Sequence, residues 1–268
     1  MSSKITKVGF IGCGNMGGAI ARAVSKNEKT AIYISDPSAE KLLAISGEID
    51  AEASDNLTIC KTCNFIFLAI KPNLFAEVVP GLAKALDENK SCVLVTMAAG
   101  ISLETLASLV GQRKIIRIMP NTPVSVGRGM TLWCGNSLVS EEDKSDFLSI
   151  MNKSGRLDEL EEKYIDAASA VSGCGPAFAY IFGEALADGA VACGLPRDKA
   201  MIYAAQMLLG SAEMLLSSGK HPGVLKDEVC SPGGSTIEGV RALENGAFRG
   251  TCIDAVIAAC EKTKLLGK

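Results

Sequence analysis

The sequence is poor in histidine, because its 268 residues contain a single one, His221. With one histidine, neither a multi-histidine zinc site nor a histidine-bearing catalytic triad can be built in the chain unless His221 itself takes part. His221 lies in the segment GKHPG, whose glycines and proline are typical of a turn. We therefore predict an exposed turn histidine, no metal site and no histidine-based catalysis.

Long apolar runs and basic blocks are also missing. The longest apolar run near a predicted strand covers residues 65–70, far fewer than the roughly 20 residues that a membrane helix needs. The 27 Lys and Arg residues against 30 Asp and Glu residues give a net charge of −3, without the basic patch that nucleic-acid binding requires. Residues 1–7 lack the apolar segment of a signal peptide. These features predict a cytoplasmic protein that binds neither membranes nor nucleic acids.

The ten cysteines show no spacing typical of a disulfide framework. Cys60 and Cys63 form a CxxC pair, but no second pair follows at the distance found in a zinc ribbon. Since the sequence has no secretory signal, we expect the cysteines to stay reduced and this pair to be buried.

Short apolar runs alternate with helical patterns over the first 160 residues, which is typical of a parallel sheet covered by helices. The predicted strands cover residues 7–11, 31–34, 65–70, 92–97, 114–118 and 130–134. The predicted helices cover residues 16–25, 37–45, 74–86 and 103–110. We predict an α/β fold with a Rossmann-type, doubly wound sheet in residues 1–160.

The apolar spacing becomes helical after residue 160. The predicted helices there cover residues 164–171, 176–193, 199–216, 236–244 and 251–265. Their many alanines and other small residues favour close packing against a partner chain. Residues 161–268 are therefore predicted to form a second, all-helical domain.

Residues 12–17, GCGNMG, match the dinucleotide pattern G-x-G-x-x-G between a predicted strand and a predicted helix. Gly12 permits the tight turn, Gly14 lets the backbone approach a pyrophosphate, and Gly17 lets the helix lie close to the sheet. The start of the helix then offers free N–H groups and a partial positive charge to the phosphates. The motif predicts a dinucleotide site in residues 1–160.

The end of the second predicted strand indicates which dinucleotide is bound, but its signals conflict. Asp36 stands where an acidic residue usually bonds the ribose hydroxyls of NAD and repels the extra phosphate of NADP. The neighbouring Ser35 and Ser38 could instead donate hydrogen bonds to that phosphate. The preference between NADH and NADPH therefore stays open.

Three further segments have the composition of ligand-binding loops. Residues 69–72 (AIKP) and 117–123 (RIMPNTP) each end a predicted strand, where open α/β sheets bind their ligands. Residues 230–238 (CSPGGSTIE) place glycines and hydroxyls before a predicted helix. Free N–H groups at such a helix start form a site for an anion such as a carboxylate.

With these motifs the sequence closely resembles the pyrroline-5-carboxylate reductase family. The resemblance covers essentially the whole chain and is carried by residues 11–20, 69–72, 97–101, 117–123, 172–180 and 230–249. It implies that NADPH or NADH reduces 1-pyrroline-5-carboxylate to proline in the last step of proline biosynthesis. It also implies a dinucleotide-binding domain in residues 1–160 and a substrate-binding and dimerisation domain in residues 161–268. The chain is then a homodimer, with the size of any larger assembly left open.

The resemblance also assigns roles to individual residues. It places the substrate at Ser231, Gly234, Ser235 and Thr236, with the Thr236 hydroxyl as the catalytic donor to the ring nitrogen. An acidic residue near the site matches Glu162. The implied cofactor contacts are Ile11, Gly12, Cys13, Gly14, Asn15, Met16, Ser35, Asn56, Ala69, Ile70, Lys71, Pro72, Ala98, Ala99 and Gly100.

This chemistry suits a chain with one histidine, because a cyclic imine can arrive already protonated and then needs no strong general acid. Two alternatives stay open at this point. A hydroxy acid dehydrogenase shares the two-domain layout but typically places a lysine or histidine in its substrate site, and no lysine of residues 161–268 lies in such a motif. A non-catalytic nucleotide sensor on a reductase scaffold would be distinguished by its lack of turnover.

Overall fold

A computed structural model describes residues 5–266. Its contacts divide the chain into two compact units. The first unit contains the residues up to Cys174 and those from Ala259 onward, and the second contains Gly175 to Ala258. The chain therefore leaves the first unit once and returns to it near its end.

The first unit is built on a single eight-stranded sheet in the part of the chain described. Its strands are β1 (Thr6–Ile11), β2 (Thr30–Ser35), β3 (Ala51–Ala53), β4 (Phe65–Leu68), β5 (Val93–Thr96), β6 (Lys114–Met119), β7 (Gly129–Gly135) and β8 (Gly155–Glu159). They lie in the order β3-β2-β1-β4-β5-β6-β7-β8. All neighbours are parallel except β6 and β7.

The antiparallel pair is the one exception to the parallel sheet that the sequence predicts. A short connection containing the 3₁₀ helix Thr122–Val126 joins β6 to β7. A parallel pairing would require a crossover of a dozen or more residues, usually with a helix, and this connection is too short to supply one.

Helices and 3₁₀ turns connect the strands. The helices of this unit are α1 (Asn15–Ser25), α2 (Ala39–Glu48), α3 (Asn56–Thr62), α4 (Phe75–Val78), α5 (Ala83–Asp87), α6 (Leu103–Val110), α7 (Glu141–Met151) and α8 (Glu162–Ser172). The predicted helix over residues 74–86 is wrong as a continuous element, because a 3₁₀ segment at Val79–Leu82 separates α4 from α5. Pro80 within it has no N–H to donate to a helical hydrogen bond.

Both faces of the sheet are covered. Alternate residues of β4 point to opposite faces, so Phe65 and Phe67 join one hydrophobic core while Ile66 and Leu68 join the other. The first core contains the buried face of α1, and the second contains residues of α3, α5 and α6. The predicted α/β fold with a Rossmann-type, doubly wound sheet is confirmed.

Four elements of this unit have no counterpart in the prediction, namely β3, α3, α7 and β8. Their sequences carry little apolar periodicity. In α7 only Phe147, Ile150 and Met151 are buried, and its start depends on a capping box in which Ser140 and Asp143 bond each other's backbone N–H groups. Strand β8 has the polar sequence GRLDE and lies at the sheet edge beside β7.

The second unit is entirely helical over the residues described, as predicted. Its helices are α9 (Gly175–Ala192), α10 (Arg197–Ser217), α11 (Pro222–Val229), α12 (Ser235–Asn245) and most of α13 (Phe248–Leu266). Its buried cluster consists of three small residues, Ala187, Ala200 and Ala204, so α9 and α10 pack closely. Many larger apolar side chains of this unit are exposed, among them Ile181, Ile202 and Leu216.

Helix α10 is the one described helix that is long and apolar enough to span a membrane by length and composition. This is weak evidence, because helices of soluble proteins pass the same test. Little of its apolar stretch is buried within the chain.

Helix α8 accounts for the difference between the compact units and the predicted domains. The sequence predicts a boundary after residue 160, whereas the contacts divide the chain after Cys174. Ile165 of α8 is fully buried and packs with Leu132 and Cys134 of β7. In addition, the Arg117 guanidinium of β6 lies 3.1 Å from the Glu162 carboxylate and 2.7 Å from that of Asp166. These contacts attach α8 to the sheet.

We expect Arg117→Met to lower the free energy of unfolding by about 2–3 kcal/mol, because it leaves two carboxylates without their buried cation. The loss is smaller than for a fully buried ion pair because the side chains of Glu162 and Asp166 are each 31% exposed, and water screens their charges. Urea unfolding checks the prediction. As a control, Lys163→Met removes an exposed ion pair to Glu161 and should change the free energy by no more than about 0.5 kcal/mol. Equal effects in the two variants would contradict the prediction.

Candidate active site

The glycine turn between β1 and α1 has the geometry that each of its glycines requires. Gly12 has a φ of +101°, and a Cβ added there would lie 2.5 Å from the Ala69 carbonyl oxygen. A Cβ at Gly17 would lie 2.4 Å from the Gly12 carbonyl oxygen, so α1 can approach the turn only without a side chain. At Gly14 an added Cβ meets nothing within 4 Å. The turn therefore leaves open space beside Gly14.

The start of α1 faces that space without a side-chain cap. Gly14 occupies the N-cap position, so the first N–H groups of α1 have no partner within the helix. A phosphate group would satisfy them and would be favoured by the positive end of the helix dipole. The turn and helix start thus fit the pyrophosphate of a dinucleotide.

The predicted cofactor residues lie at the carboxyl ends of four neighbouring parallel strands, β2, β1, β4 and β5. The Ala69 N–H donates to the Ile11 carbonyl oxygen at 2.8 Å, and the Gly12 N–H donates to the Ser35 carbonyl oxygen at 2.7 Å. The structure therefore brings together residues 11–16, Ser35 and residues 69–72 at the carboxyl ends of these strands. Residues 98–100 follow the carboxyl end of β5. Asn56 begins α3, where Asp55 accepts two backbone N–H bonds.

Cys13 lies inside the glycine turn, but it brings no negative charge to it. Burial, together with the charge of the nearby Asp36 carboxylate, raises the pKa of the Cys13 thiol to about 11. The thiol is therefore neutral at physiological pH. A thiolate here would repel phosphate groups.

The substrate motif predicted in the second unit forms the loop before α12. Gly233 has a φ of +67°, and the Gly234 N–H donates to the Ser231 carbonyl oxygen at 3.0 Å. An added Cβ at Gly234 would lie 2.4 Å from the Ser231 Oγ, so a side chain there would displace the Ser231 hydroxyl. The side chains of Ser231, Ser235 and Thr236 are exposed.

Helix α12 begins at Ser235 with Gly234 at the N-cap position and no side-chain cap. The N–H groups of its first turn therefore have no partner within the helix. They lie beside three hydroxyl groups in a six-residue segment. This arrangement can bind a carboxylate through N–H groups while a hydroxyl contacts a second polar atom of the same small molecule.

Two other segments singled out from the sequence have structural partners. In the segment 117–123, Asn121 accepts a hydrogen bond from the Met130 N–H at 2.9 Å and donates one to the Ser172 carbonyl oxygen at 2.8 Å. Glu162 accepts a hydrogen bond from the Leu103 N–H at 2.8 Å in addition to its ion pair with Arg117. These groups are therefore occupied in holding the first unit together.

The exposure of His221 and the burial of the CxxC pair agree with the sequence-based predictions. His221 is exposed, and its Nδ1 accepts a hydrogen bond from the Gly223 N–H at the start of α11. All ten cysteines are free, and Cys60 and Cys63 are buried. Residues 5–266 contain no group of three or more histidine, cysteine or acidic side chains that could hold a metal ion.

Two family models match this chain. Residues 162–266 match the family model described as pyrroline-5-carboxylate reductase dimerisation. Residues 7–100 match the one described as NADP oxidoreductase coenzyme F420-dependent.

Relatives match over nearly the full length. The chain is 42% identical over 267 residues to the pyrroline-5-carboxylate reductase of Escherichia coli strain K12, covering 98% of both. It is 39% identical to the pyrroline-5-carboxylate reductase of Pisum sativum, covering 97% of this chain and 95% of the relative. A crystal structure of Plasmodium falciparum pyrroline carboxylate reductase with NADP bound superimposes with a TM-score of 0.88 at 34% identity, covering 98% of both chains. The chain belongs to the pyrroline-5-carboxylate reductase family.

Proposed function

We propose that this protein reduces 1-pyrroline-5-carboxylate to L-proline, the last step of proline biosynthesis, using NADPH or NADH. The observation that carries the proposal is the start of α12, where uncapped N–H groups and exposed hydroxyls lie together in a member of this family. The full-length similarity favours the reductase over a hydroxy acid dehydrogenase. Measured turnover distinguishes it from a nucleotide sensor.

The cofactor site consists of residues 11–16, Ser35, Asn56, residues 69–72 and residues 98–100. The N–H groups at the start of α1 hold the pyrophosphate, and the open space beside Gly14 admits it. When bound, the reduced nicotinamide supplies the hydride that adds to the carbon of the C=N bond. The protein's task is to bind and orient the two reactants.

The substrate site consists of Ser231, Gly234, Ser235 and Thr236. The N–H groups in the first turn of α12 bind the substrate carboxylate, which the positive end of the helix dipole favours. The ring nitrogen carries its proton from solution, so the chain needs no histidine at this step. The oxygen of the Thr236 hydroxyl accepts a hydrogen bond from this N–H and so fixes the orientation of the imine. Hydride addition turns the nitrogen into an amine with a lone pair, to which the same hydroxyl then donates.

An assay with purified protein tests the function directly. We expect 1-pyrroline-5-carboxylate to cause oxidation of NADPH or NADH, followed by the nicotinamide absorbance, with one proline formed for each cofactor oxidised. Running both cofactors in parallel measures the preference between them. Oxidation of neither cofactor, with folded protein and fresh substrate, would overturn the proposed function.

We propose that the dimer forms through residues 161–268 and that the protein is cytoplasmic. The exposed apolar side chains of the second unit, including those of α10, would form a large adhesive surface in an isolated chain. Burial of these side chains in a dimer interface explains why α10 is apolar, and no membrane insertion is needed.

Light scattering at micromolar concentration is expected to give a mass of at least twice the 28.0 kDa of one chain. Replacing Ile202, which is 59% exposed on α10, with Glu should weaken the assembly because a charge would enter the covered face. A stable monomer with full activity would contradict the dimer. A mass of several dimers would define the larger assembly.

A further inference from the structure

Asp36 follows β2 directly, the position at which an acidic residue usually binds the ribose of a dinucleotide. In this structure its carboxylate is directed to the protein backbone instead. One oxygen accepts the Cys13 N–H at 2.7 Å, and the other accepts the Ser38 N–H at 2.9 Å. The side chain is only 6% exposed. Both carboxylate oxygens are therefore occupied by backbone donors.

The charge of Asp36 also has a partner within the chain. The ammonium group of Lys41 in α2 lies 3.7 Å from the carboxylate oxygen that accepts the Ser38 N–H. The Ser38 hydroxyl, in turn, accepts the Lys41 N–H at 3.4 Å and caps α2. Because the side chain is 6% exposed and each of its oxygens is bonded to a backbone N–H, the Asp36 carboxylate presents little surface to a ribose hydroxyl.

The bond to Cys13 matters because Cys13 lies between the two glycines that shape the cofactor turn. The preceding N–H, of Gly12, is bonded to the Ser35 carbonyl oxygen at 2.7 Å. Two successive N–H groups of the turn are thus held by the end of β2. A glycine-rich turn is costly to order, and holding it in advance removes that cost from cofactor binding.

We propose that Asp36 is a positioning residue of the dinucleotide-binding turn and does not select between NADH and NADPH. The proposal rests on the proposed function only in taking the turn residues 12–16 as the place where a nicotinamide dinucleotide binds. Asp36 acts through the Cys13 N–H and contacts neither the cofactor nor the substrate. Its loss therefore affects both cofactors alike, because both share the pyrophosphate that the turn binds.

The test uses Asp36→Ser and Asp36→Asn with two readouts that do not depend on turnover. In the protein without cofactor, hydrogen–deuterium exchange of a peptide covering residues 12–17 should become faster in Asp36→Ser. Equilibrium titration should show NADPH and NADH both binding about ten-fold more weakly, the size expected for losing a hydrogen bond to a charged group. Asp36→Asn keeps one acceptor oxygen and should lose less on both measures.

Asp143→Asn is the matched control for general loss of stability. Asp143 also accepts a backbone N–H, that of Ser140 at 2.8 Å, and also pairs with a lysine, Lys114, in the same unit. It should lower the melting temperature while leaving exchange in residues 12–17 and both cofactor affinities unchanged.

Any one of three results would overturn the proposal. The first is weaker NADH binding with unchanged or stronger NADPH binding in Asp36→Ser. The second is unchanged hydrogen–deuterium exchange in residues 12–17 of that variant, and the third is an equal loss of cofactor affinity in Asp36→Ser and Asp143→Asn. Absence of imine reduction by the unmodified protein would instead overturn the proposed function and leave these measurements interpretable.

Discussion

Thr236→Ala is expected to lower the turnover number about 10²–10³-fold, corresponding to the loss of roughly 2–4 kcal/mol of transition-state stabilisation. The reason is that its hydroxyl holds the ring nitrogen as charge and geometry change during reduction. Cofactor affinity should change little, because the proposed cofactor contacts lie in residues 11–100. Steady-state kinetics and cofactor titration measure the two quantities.

Two further variants separate the hydroxyl from the shape of the side chain. Thr236→Ser keeps the hydroxyl and should retain much more activity than Thr236→Ala. Thr236→Val keeps the branched shape without the hydroxyl and should be as impaired as the alanine variant.

Thr236 lies at the start of a helix, so helix capping is the alternative to its proposed role at the ring nitrogen. If Thr236 acted as a cap, its loss would cost about 1 kcal/mol of stability. Gly234, however, occupies the N-cap position of α12, and Thr236 lies inside the first turn. We therefore expect the melting temperature of Thr236→Ala to stay close to that of the unmodified protein. Near-normal turnover with a lowered melting temperature would remove Thr236 from the mechanism.

Gly14→Leu should weaken cofactor binding at least about 100-fold, equivalent to about 2.7 kcal/mol, while the protein stays folded. A Cβ at this position meets nothing within 4 Å, so the added side chain occupies the space proposed for the pyrophosphate. The backbone of Gly14, with a φ of −68° and a ψ of −173°, is accessible to leucine without strain. Equilibrium titration with NADPH and NADH, together with a melting curve, checks both parts.

Two other glycines provide matched controls. Gly47→Leu also adds a side chain in open space, on the exposed side of α2, and should leave cofactor affinity unchanged. Gly17→Ala introduces a Cβ 2.4 Å from a backbone oxygen and should lower stability. Unaltered cofactor affinity in Gly14→Leu would show that the dinucleotide does not bind at this turn.

The sequence by itself determined the fold class and the family, and the ligand segments that it indicates stay predictions. Fold class and motifs depend on local constraints that residue order expresses directly. The positive φ at Gly12 requires glycine, a strand that is buried on both faces is apolar throughout, and a helix start provides free N–H groups where no side chain caps it. The one helix predicted as continuous and found divided, over residues 74–86, carried its own local signal in Pro80.

Only the tertiary structure decided the elements and contacts that depend on residues far apart in the chain. The sequence places Asp36 at the ribose position, but the carboxylate bonds an N–H that lies 23 residues earlier. Arg117 of β6 is paired with acidic residues 45 and 49 positions later, which attaches α8 to the sheet. The polar strand β8 exists because β7 supplies its hydrogen-bonding partner. The local sequence limits the conformations that a segment can adopt. Whether a carboxylate bonds the backbone or a ligand depends on which groups folding brings within hydrogen-bonding distance.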